Sequence, residues 1–461
     1  MGSLGKSLAL VLVFLFLTSL PTIEPNTVKA ISPKTIVVPD NYTTIQAAID
    51  QANSGDKVLV KEGIYYTYTD ESHQLTINKP LSLIGENPNS TILDGNQKSK
   101  ISTGESPYHP YVPLSFINIT SSDVTLSGFT IKNCDTAIIL TDNGEEPISR
   151  VNIIGNNIIN SSRASGSLFG RGFAITHIGA EASNIVISQN NITGNSGTGI
   201  SISGQRDNSP IITFNNINNN ENGINLRASN SIIENNNIFQ NDVTGIIVSD
   251  CSNVTVKNNV INGNGAANFA AHYYGYLNNS GGLFLAFAES CFVYNNNITG
   301  NHKYGIMLEG TNNSIVKSNA FLDNGAGIRL INYAYGGGPF LPHILGTGSL
   351  VYYNNFIGNS PNAIIDSSDP FPMPENFVGH GTDLIRWDNG VVGNYWSDYN
   401  GQGTYVIDQN NVDHHPLTQQ VNISTEALTV PTNALVAIII VVIAVAGLLV
   451  YFKKYKRVRL L

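Results

Sequence analysis

The sequence is poor in the residues that carry redox chemistry, metal binding and charge. Among its 461 residues there are three cysteines, three methionines and two tryptophans, and charged residues make up 12%. An odd number of cysteines (Cys134, Cys251 and Cys291) excludes a framework built only of disulfides, although one bridge would still be compatible with it. We therefore expect buried thiols that act as small apolar side chains.

Basic residues are also scarce outside the two ends of the chain. The formal net charge is −9, but residues 1–30 and 432–461 hold seven of the 24 basic residues. Residues 31–431 contain 17 basic and 32 acidic residues, which gives a net charge of −15. Such an acidic surface repels nucleic acids, and polyanionic glycans as well unless cations bridge the two. It suits a solvated extracellular face or the binding of cations.

Long apolar runs occur only near the termini. The run from Leu8 to Leu20 follows Lys6 and precedes small residues at 28–30, which predicts a signal peptide at 1–30 or, alternatively, an N-terminal anchor. Residues 434–452 carry no charge and are long enough for a transmembrane helix, with a stalk at 421–433 before them. The basic tail at 453–461 favours a cytoplasmic C-terminus. Residues 31–431 would then lie outside the cell or in the periplasm, unless the apolar segment is removed for a lipid anchor.

Asparagine is abundant, and it recurs in a regular pattern. A motif close to (S/N)-x-I-x-x-N-N-I-x-x-N-x-x-G-I-x-L repeats about every 22 residues, with extra residues inserted in some copies. Each copy holds three short apolar strands and no periodic segment of helical length. The frame of leucine-rich repeats is not sustained. Aligned on one asparagine, the copies fall at Asn157, Asn191, Asn216, Asn237, Asn259, Asn297, Asn319 and Asn355.

Three strands per repeat predict a parallel β-helix, in which successive coils stack about 4.8 Å apart around an apolar core. Asparagine tolerates the left-handed backbone of tight bends. Stacked bends would place one asparagine above the next, so that their amides hydrogen-bond along the stack. At the start of the domain, Thr43 or Thr44 can cap a short helix that carries Ile45, Ala48 and Ile49 on one face. That helix would cover the first edge of the β-helix.

These segments resemble known families. TIQAAIDQANSGDKVLVKEGIY (44–65), NKPLSLIGE (78–86) and TILDG (91–95) resemble the start of pectin-lyase-like proteins. The later copies resemble NosD-like repeats, also known as carbohydrate-binding and sugar-hydrolase repeats, and residues 386–417 resemble the closing segment of archaeal NosD-like surface proteins. The resemblance implies an all-β, right-handed parallel β-helix of three sheets at 31–366, closed by residues 367–420. It leaves the activity open, because the fold hosts binders, lyases, hydrolases and scaffolds.

The resemblance also implies where a ligand would bind, since the outer face of the G-I-x-L strand forms the substrate cleft in pectinolytic relatives. Alternation along that strand predicts its outward side chains. The ionisable ones are Arg227, Glu309 and Arg329, with Asp250 just past its strand. The outward set is Ala174, Thr176, Ser201, Ser203, Asn225, Arg227, Ile247, Ser249, Phe284, Ala286, Met307, Glu309, Arg329 and Ile331.

Insertions at 162–172, 264–282 and 332–349 flank this strand and are rich in aromatic residues. Exposed tyrosine suits stacking on sugar rings, and loops are the usual carriers of ligands. The alternative is that these aromatics pack the loops against the wall of the β-helix. The predicted ligand-binding residues are His272, Tyr273, Tyr274, Tyr276, Phe284, Tyr333 and Tyr335.

Catalytic and metal-binding signals are weak. Asp250 and Glu309 lie two coils apart, about 10 Å, which is at the limit for a pair of glycosidase carboxyls. Arg227 and Arg329 could act as lyase bases, but no cluster of acids accompanies them. Residues 379–381 read GHG, as in polygalacturonases, without the expected aspartates. His414 and His415 lack partner ligands, and no calcium motif follows the SDY segment.

Together these observations predict a membrane-anchored, extracellular β-helix that binds a glycan or a cell-envelope component, as an adhesin or scaffold, without turnover. No cofactor is expected; calcium remains compatible with the sequence, but no motif supports it. The first alternative is a polysaccharide lyase or glycoside hydrolase that uses Arg227, Asp250, Glu309 and Arg329. The second is a NosD-type accessory protein that handles copper. Copper(I) favours cysteine and methionine, and the sequence has few of either. Ten N-x-S/T sequons are compatible with glycosylation: Asn41, Asn89, Asn118, Asn160, Asn191, Asn253, Asn278, Asn297, Asn312 and Asn422.

Overall fold

The described residues between Thr35 and Trp396 form a parallel β-helix with three sheets, which we name A, B and C in the order that the chain visits them. The computed structural model describes residues 32–66, 75–95, 115–142, 147–161, 172–179, 182–266, 280–331, 348–366 and 385–423. Within them, every pairing inside the three sheets is parallel, and each strand pairs with the strand of the same sheet in the neighbouring coil.

Sheet A contains β1 (Thr35–Val38), β2 (Lys57–Val60), β5 (Ser82–Gly85), β8 (Thr125–Ser127), β12 (Asn152–Ile154), β16 (Val186–Ser188), β19 (Ile211–Thr213), β22 (Ile232–Glu234), β25 (Thr255–Lys257), β28 (Phe292–Tyr294), β31 (Ile315–Lys317) and β34 (Leu350–Tyr352). Sheet B contains β3 (Gly63–Tyr66), β6 (Thr91–Asp94), β9 (Thr130–Lys132), β13 (Asn157–Ile159), β17 (Asn191–Thr193), β20 (Asn216–Asn218), β23 (Asn237–Phe239), β26 (Val260–Asn262), β29 (Asn297–Thr299), β32 (Ala320–Leu322), β35 (Asn355–Ile357) and β37 (Tyr395–Trp396). Sheet C contains β4 (Leu75–Ile77), β7 (Ser115–Ile119), β10 (Thr136–Thr141), β11 (Ile148–Ser149), β14 (Ile175–Ile178), β15 (Ala182–Ser183), β18 (Ile200–Asn208), β21 (Asn222–Ser229), β24 (Thr244–Ser249), β27 (Gly281–Ala286), β30 (Tyr304–Glu309), β33 (Ala326–Ile331) and β36 (Ala363–Asp366). An antiparallel pair, β38 (Tyr405–Val406) and β39 (Val412–Asp413), follows.

The core is a set of stacked apolar columns. In sheet A, for example, Ile187, Ile212, Ile233 and Val256 pair in register from coil to coil, and all four are buried. Because side chains alternate along a strand, a three-residue strand with a central isoleucine or valine buries that residue and turns its neighbours outward. The predicted all-β parallel β-helix is therefore confirmed.

Two buried asparagine ladders hold the coils in register. All of their members except Asn394 follow a residue of positive φ, such as Asn258 (φ 55) before Asn259, because that backbone turns the chain sharply into the next strand. The first ladder, between sheets A and B, is Asn156, Asn190, Asn215, Asn236, Asn259, Asn296, Asn319, Asn354 and Asn394. The second, between sheets B and C, is Asn195, Asn220, Asn241, Asn264, Asn301, Asn324 and Asn359.

Asn259 shows the bonding of the first ladder. Its Nδ2 donates to the carbonyls of Ile233 (2.9 Å) and Lys257 (3.0 Å) and to Oδ1 of Asn296 (3.0 Å). Its Oδ1 accepts from both the backbone nitrogen and Nδ2 of Asn236, each at 3.0 Å. A buried amide with this many partners satisfies turn carbonyls that the sheets leave unbonded.

The expected stacking of asparagine amides is thus present, but mostly one residue earlier than the alignment placed it. Of the eight aligned positions, Asn259 and Asn319 belong to the first ladder. The other six begin strands of sheet B, after the turn. The sequence contains two or three adjacent asparagines in several copies, so the pattern alone does not separate the turn residue from the strand residue.

Both ends of the β-helix are closed. Helix α1 (Ile45–Gln51) buries Ile45, Ala48 and Ile49, and the hydroxyl of Thr44 caps it, as predicted. At the other end the core continues as stacked rings, since Phe356 lies on Trp396 at 4.5 Å and Trp396 lies on Tyr405 at 4.3 Å between ring centroids. The stack replaces the missing next coil with flat aromatic surfaces.

Buried polar groups also terminate the first asparagine ladder. Oδ2 of Asp413 accepts from the backbone nitrogen of Asn394 (2.7 Å) and from Nε1 of Trp396 (2.9 Å). Burial raises the pKa of the Asp413 carboxyl, although these donors oppose the shift. A carboxylate therefore stands where the next ladder amide would be.

Several predictions fall on residues outside the described ranges. These are the signal peptide at 1–30, most of the stalk at 421–433, the transmembrane helix at 434–452 and the basic tail at 453–461. Over the part of the chain that the structure describes, no helix has the length and apolar character needed to cross a membrane. The three cysteines are buried, free thiols, and burial raises their pKa values to about 12 for Cys134 and Cys251 and to about 11 for Cys291.

Candidate functional site

The outer face of sheet C carries two columns of outward side chains. In the first, Asn225, Ile247, Phe284, Met307 and Arg329 pair in register through consecutive coils. In the second, Ser249, Ala286, Glu309 and Ile331 do the same. The predicted alternation holds over these strands.

Ala174 is the exception, because it is buried within the main core and does not face outward. It precedes β14 at the place where the following coils carry glycine, and these residues lie against the backbone of the next coil. A Cβ on Gly223 would come within 2.4 Å of the carbonyl oxygen of Gly245, and one on Gly245 within 2.6 Å of that of Gly282. The glycine of the G-I-x-L motif therefore permits close approach between coils.

An apolar cluster separate from the main core lies on this outer face. It consists of Phe284, Ala286, Met307 and Ile331, all buried. Ile247, Phe287 and Tyr304 pack against it. These apolar side chains lie outside the β-helix and are not packed in its core. They therefore form a second region from which water is excluded.

Two charged residues adjoin the cluster. Glu309 is 3% exposed and Arg329 is 9% exposed. Burial raises the pKa of the Glu309 carboxyl to about 7, against the opposing effect of the Arg329 guanidinium. Arg329 lies over the ring of Tyr304 at 5.0 Å from its centroid, and its Nη1 donates to Sδ of Met307 at 3.7 Å. A carboxyl that titrates near neutral pH beside a cation is typical of functional sites.

An open ion pair lies farther toward the N-terminal coils. Nη2 of Arg227 is 3.0 Å from Oδ2 of Asp250, and the side chains are 51% and 47% exposed. Asp250 has a positive φ of 51°, which turns its side chain out of the strand direction. Ser249, next to it, is two coils from Glu309 in the same column, about 10 Å away. The outer face thus has an open charged part and a buried, largely apolar part.

Two family profiles match adjoining parts of the chain. Residues 178–276 match the profile described as right handed beta helix region, and residues 275–401 match the profile described as periplasmic copper-binding protein (NosD). Together they run through the coils described above. Residues 178–401 thus match NosD-like right-handed β-helix families. A search of curated proteins found no match.

The solved structures to which the chain is similar share little sequence with it. The A-module of mannuronan C-5 epimerase AlgE6 from Azotobacter vinelandii is 16% identical, with 71% of this chain and 91% of that chain covered and a TM-score of 0.49. The A-module of AlgE4 from the same organism is 14% identical, with 71% and 93% covered and a TM-score of 0.48. Pectate lyase Pel9A is 14% identical, with 74% and 80% covered and a TM-score of 0.40. Likeness at this level carries no argument about activity.

The predicted site residues divide into two groups. The four candidate catalytic residues are described: Arg227 forms an ion pair with Asp250, and Arg329 lies near enough to Glu309 to oppose the rise in its pKa. Phe284 is described and lies in the outer apolar cluster. The remaining predicted ligand-binding residues, His272, Tyr273, Tyr274, Tyr276, Tyr333 and Tyr335, lie outside the described residues, as does the GHG motif at 379–381.

Tyr304 was missed by the sequence-based prediction. It begins β30, immediately before the glycine of its G-I-x-L motif, and supplies the ring beneath Arg329. Alternation counted from the motif starts after this residue, so it was left out of the outward set. An aromatic residue directly before that glycine is the signal that could have found it.

The His414–His415 pair has a partner that the sequence did not indicate. Nδ1 of each histidine lies near a carboxylate oxygen of Asp388, at 3.4 Å for His414 and 3.2 Å for His415. Burial alone would raise the pKa of Asp388, but the backbone N–H groups of His414 and Gly390 and the ring of His415 hold it below its usual value. Across the described ranges, no group of three His, Cys, Asp or Glu residues is placed to hold a metal ion.

Proposed function

We propose that this protein binds a glycan or a cell-envelope component through the outer face of sheet C, without turnover. One observation carries the proposal. The described residues form two apolar clusters, the main core and a second cluster on this outer face, which consists of Phe284, Ala286, Met307 and Ile331. Because these side chains are 2–7% exposed, they form the apolar base of the proposed site, and the half-exposed Arg227 and Asp250 on the same face are the groups that would contact a ligand.

The charges of the face favour binding over catalysis. Arg227 and Asp250 occupy each other in an ion pair, and Glu309 and Arg329 are nearly inaccessible to solvent. An acid catalyst must reach the proton acceptor on its substrate. The open pair can instead exchange its mutual contact for hydroxyl groups of a sugar, because both charged groups form directional hydrogen bonds.

The chain order of the insertions supports the same face. Residues 267–279 come directly before β27 and residues 332–347 come directly after β33, so both long segments border strands that carry the cluster. They contain Tyr273, Tyr274 and Tyr276 in the first segment and Tyr333 and Tyr335 in the second. Tyrosine offers an apolar ring and a hydroxyl, which suits contact with sugar rings.

We further propose that a signal peptide at 1–30 and a transmembrane helix at 434–452 present the β-helix outside the cytoplasm, with the tail at 453–461 inside. The basis is the sequence pattern alone. Protease protection in cells whose outer membrane or wall has been removed tests this arrangement. Cleavage of the β-helix by added protease, with the tail protected, is expected, and full protection of the β-helix would contradict it.

The binding proposal is tested on a broad glycan array with the purified full-length protein, with and without calcium. Replacing Tyr273, Tyr274 and Tyr276 by alanine is expected to abolish selective binding. Tyr66→Ala is the matched control, because Tyr66 is exposed on sheet B, away from the proposed site. Unchanged binding by the triple variant, or equal loss in the control, would contradict the proposal.

A second candidate function is polysaccharide cleavage, and the Glu309 carboxyl favours it. A pKa of about 7 suits a general acid or base at neutral pH. Asp250 lies about two coils away, which is at the outer limit for an inverting pair. Incubation with a panel of polysaccharides should then release new reducing ends or unsaturated products, and Glu309→Gln should remove that activity. Absence of products from every polysaccharide would leave binding as the function.

Copper handling is a further candidate, because the profile that matches residues 275–401 is described as a periplasmic copper-binding protein. His414, His415 and Asp388 are the described residues that would contribute ligands, although their arrangement offers no three-ligand site. Equilibrium dialysis of the full-length protein against copper tests this directly. Retention that is lost in a His414→Ala, His415→Ala double variant would support it, and no retention would remove it.

A further inference from the structure

The outer face of sheet A carries an apolar stripe of its own. The first residue of each strand from β16 to β34 pairs in register with the first residue of the next. In this series only Thr255 is polar. The other six, which we call the sheet A stripe, are Val186, Ile211, Ile232, Phe292, Ile315 and Leu350.

The stripe is open to solvent. Phe292 is 41% exposed, and the other five residues are half-buried. None of the six belongs to either apolar cluster of the described residues or packs against one. An outward column of large apolar side chains that continues through so many coils is unusual on a soluble face and marks an interaction surface.

The third residue of each strand forms a second column beside the stripe. Tyr294, Lys317 and Tyr352 pair in register, so the two tyrosines stand two coils apart, about 10 Å, with a lysine between them. One coil earlier in the chain, Lys257 is bound to Glu234 at 3.0 Å. The surface is therefore apolar along one side and lined by aromatic rings and hydrogen-bonding groups along the other.

The size of the stripe argues against a second copy of this chain as its occupant. Seven coils extend about 30 Å and a three-residue strand covers about 10 Å, so the face offers about 300 Å². A stable protein–protein interface needs about 800 Å² from each partner. A flat, narrow strip of this area suits a linear chain better than a folded domain.

The small number of charged residues beside the sheet A stripe indicates which kind of ligand it could bind. The lysine at 257 is neutralised by Glu234, which leaves Lys317 as the one charge of the second column between β25 and β34 without an ion-pair partner among the described residues. A polyanion or an anionic membrane would require a cluster of basic groups. An uncharged occupant fits these side chains, with aromatic rings for its apolar faces and polar groups for its hydroxyls.

We propose that the sheet A stripe binds an extended, uncharged, linear polysaccharide that lies along the axis of the β-helix. The spacing between coils is close to the length of one sugar ring in an extended 1,4-linked chain, so successive rings meet equivalent side chains. The site is separate from the face of sheet C and does not depend on the function proposed for it.

The test is co-sedimentation of the full-length protein with microcrystalline cellulose and with insoluble chitin. The double variant Phe292→Ser, Tyr294→Ser should bind at least tenfold more weakly. Its matched control is Phe239→Ser, Tyr66→Ser, which removes one outward phenylalanine and one outward tyrosine from sheet B. The Tyr273, Tyr274 and Tyr276 triple variant should sediment like the wild type, which separates this site from that of sheet C. Thermal unfolding confirms that each variant is folded.

Three results would overturn the proposal. The wild type could fail to sediment with either polysaccharide. The stripe variant could bind as tightly as the wild type, or no more weakly than the sheet B control. Light scattering could show that the stripe variant converts a dimer to a monomer while fibre binding stays unchanged, which would assign the face to a second copy of the chain.

Discussion

The turn between sheets A and B and the turns that border sheet C follow different rules. From β12 to β35, every A-to-B turn has the same two-residue length and ends on a buried ladder asparagine. The connections on either side of sheet C vary widely, as from Asn262 to Gly281 and from Ile331 to Leu350. The turn between sheets A and B is thus uniform, whereas the two turns that border sheet C accept long insertions.

The difference follows from how polar groups are satisfied. In the first ladder each amide bonds the next coil and the turn carbonyls at once, so an added residue would leave several buried groups without partners. Beside sheet C the second ladder is also kept, but extra residues enter after its asparagine, as they do after Asn264. The register is therefore fixed before the inserted segment begins, so the length and sequence of that segment can vary.

The largest expected effect comes from breaking the uniform turn between sheets A and B. Asn259→Ala removes five hydrogen bonds, so the buried backbone nitrogen of Asn236 loses its side-chain acceptor and the carbonyl of Ile233 loses an amide donor. We expect it to lower the free energy of unfolding by about 3 to 5 kcal/mol. Urea unfolding followed by circular dichroism measures this change.

The control for that variant is Asn237→Ala. Asn237 is the first residue of β23, directly before the buried Ile238. It lies on the exposed outer face of sheet B, and its Nδ2 donates to Oδ1 of Asn216 at 3.0 Å. Its loss should cost less than about 1 kcal/mol, because water replaces the exposed bond. Equal destabilisation by the two variants would show that buried stacking is not what fixes the coils.

The same difference determines which features of the structure could be predicted from the sequence alone. The asparagine spacing, the G-I-x-L strands and the Thr44 cap were enough to predict three parallel sheets and a capping helix, since each rests on local backbone geometry. The assignment of Ala174 to the outer face was wrong, because its side chain is fixed by close approach to the neighbouring coil. The burial of Glu309 depends on contacts between coils, which no local pattern encodes, whereas Tyr304 could have been found from its place directly before the glycine of its motif.

A second effect, which depends on pH, is expected on the outer face of sheet C. Because burial raises the pKa of Glu309 from 4.5 to about 7, the folded protein keeps a proton that the unfolded chain has released between these pH values. Stability therefore falls as the pH rises through this window. Glu309→Gln holds the neutral form and should raise the free energy of unfolding at pH 8 by up to about 3 kcal/mol, with little change below pH 4.5.

Urea unfolding of wild type and variant at pH 4.5, 6 and 8 measures this dependence. Glu234→Gln is the matched control, since Glu234 is paired with Lys257 on the outer face of sheet A and should lose less than about 1 kcal/mol at pH 8. A stabilisation of Glu309→Gln that is independent of pH would mean that the carboxyl does not titrate near neutrality.

A smaller effect is expected at the contact between coils on the core side of sheet C. Gly245→Ala places a Cβ within 2.6 Å of the carbonyl oxygen of Gly282 and close to Asn264 and Ile261. The coils must separate locally, which should cost about 1 to 3 kcal/mol. Gly390→Ala is the control for the steric contact, because a Cβ at residue 390 meets no atom within 4 Å. This variant tests backbone strain alone, since the φ of Gly390 is 87°. Comparable melting temperatures for Gly245→Ala and wild type would show that the coils adjust freely.

The smallest change in stability should come from the open ion pair of Arg227 and Asp250. Its role is tested better by ligand binding than by stability. Arg227 and Asp250 are about half exposed, so Arg227→Ala should alter the free energy of unfolding by less than about 1 kcal/mol. Arg150→Ala breaks another exposed pair, with Asp123, on a part of the molecule that carries no proposed site. If the outer face of sheet C binds sugar, Arg227→Ala weakens binding to the glycan selected on the array, while Arg150→Ala does not. Equal affinities in both variants would restrict the site to the buried cluster and its bordering segments, because the open pair would then be only a solvated contact between coils.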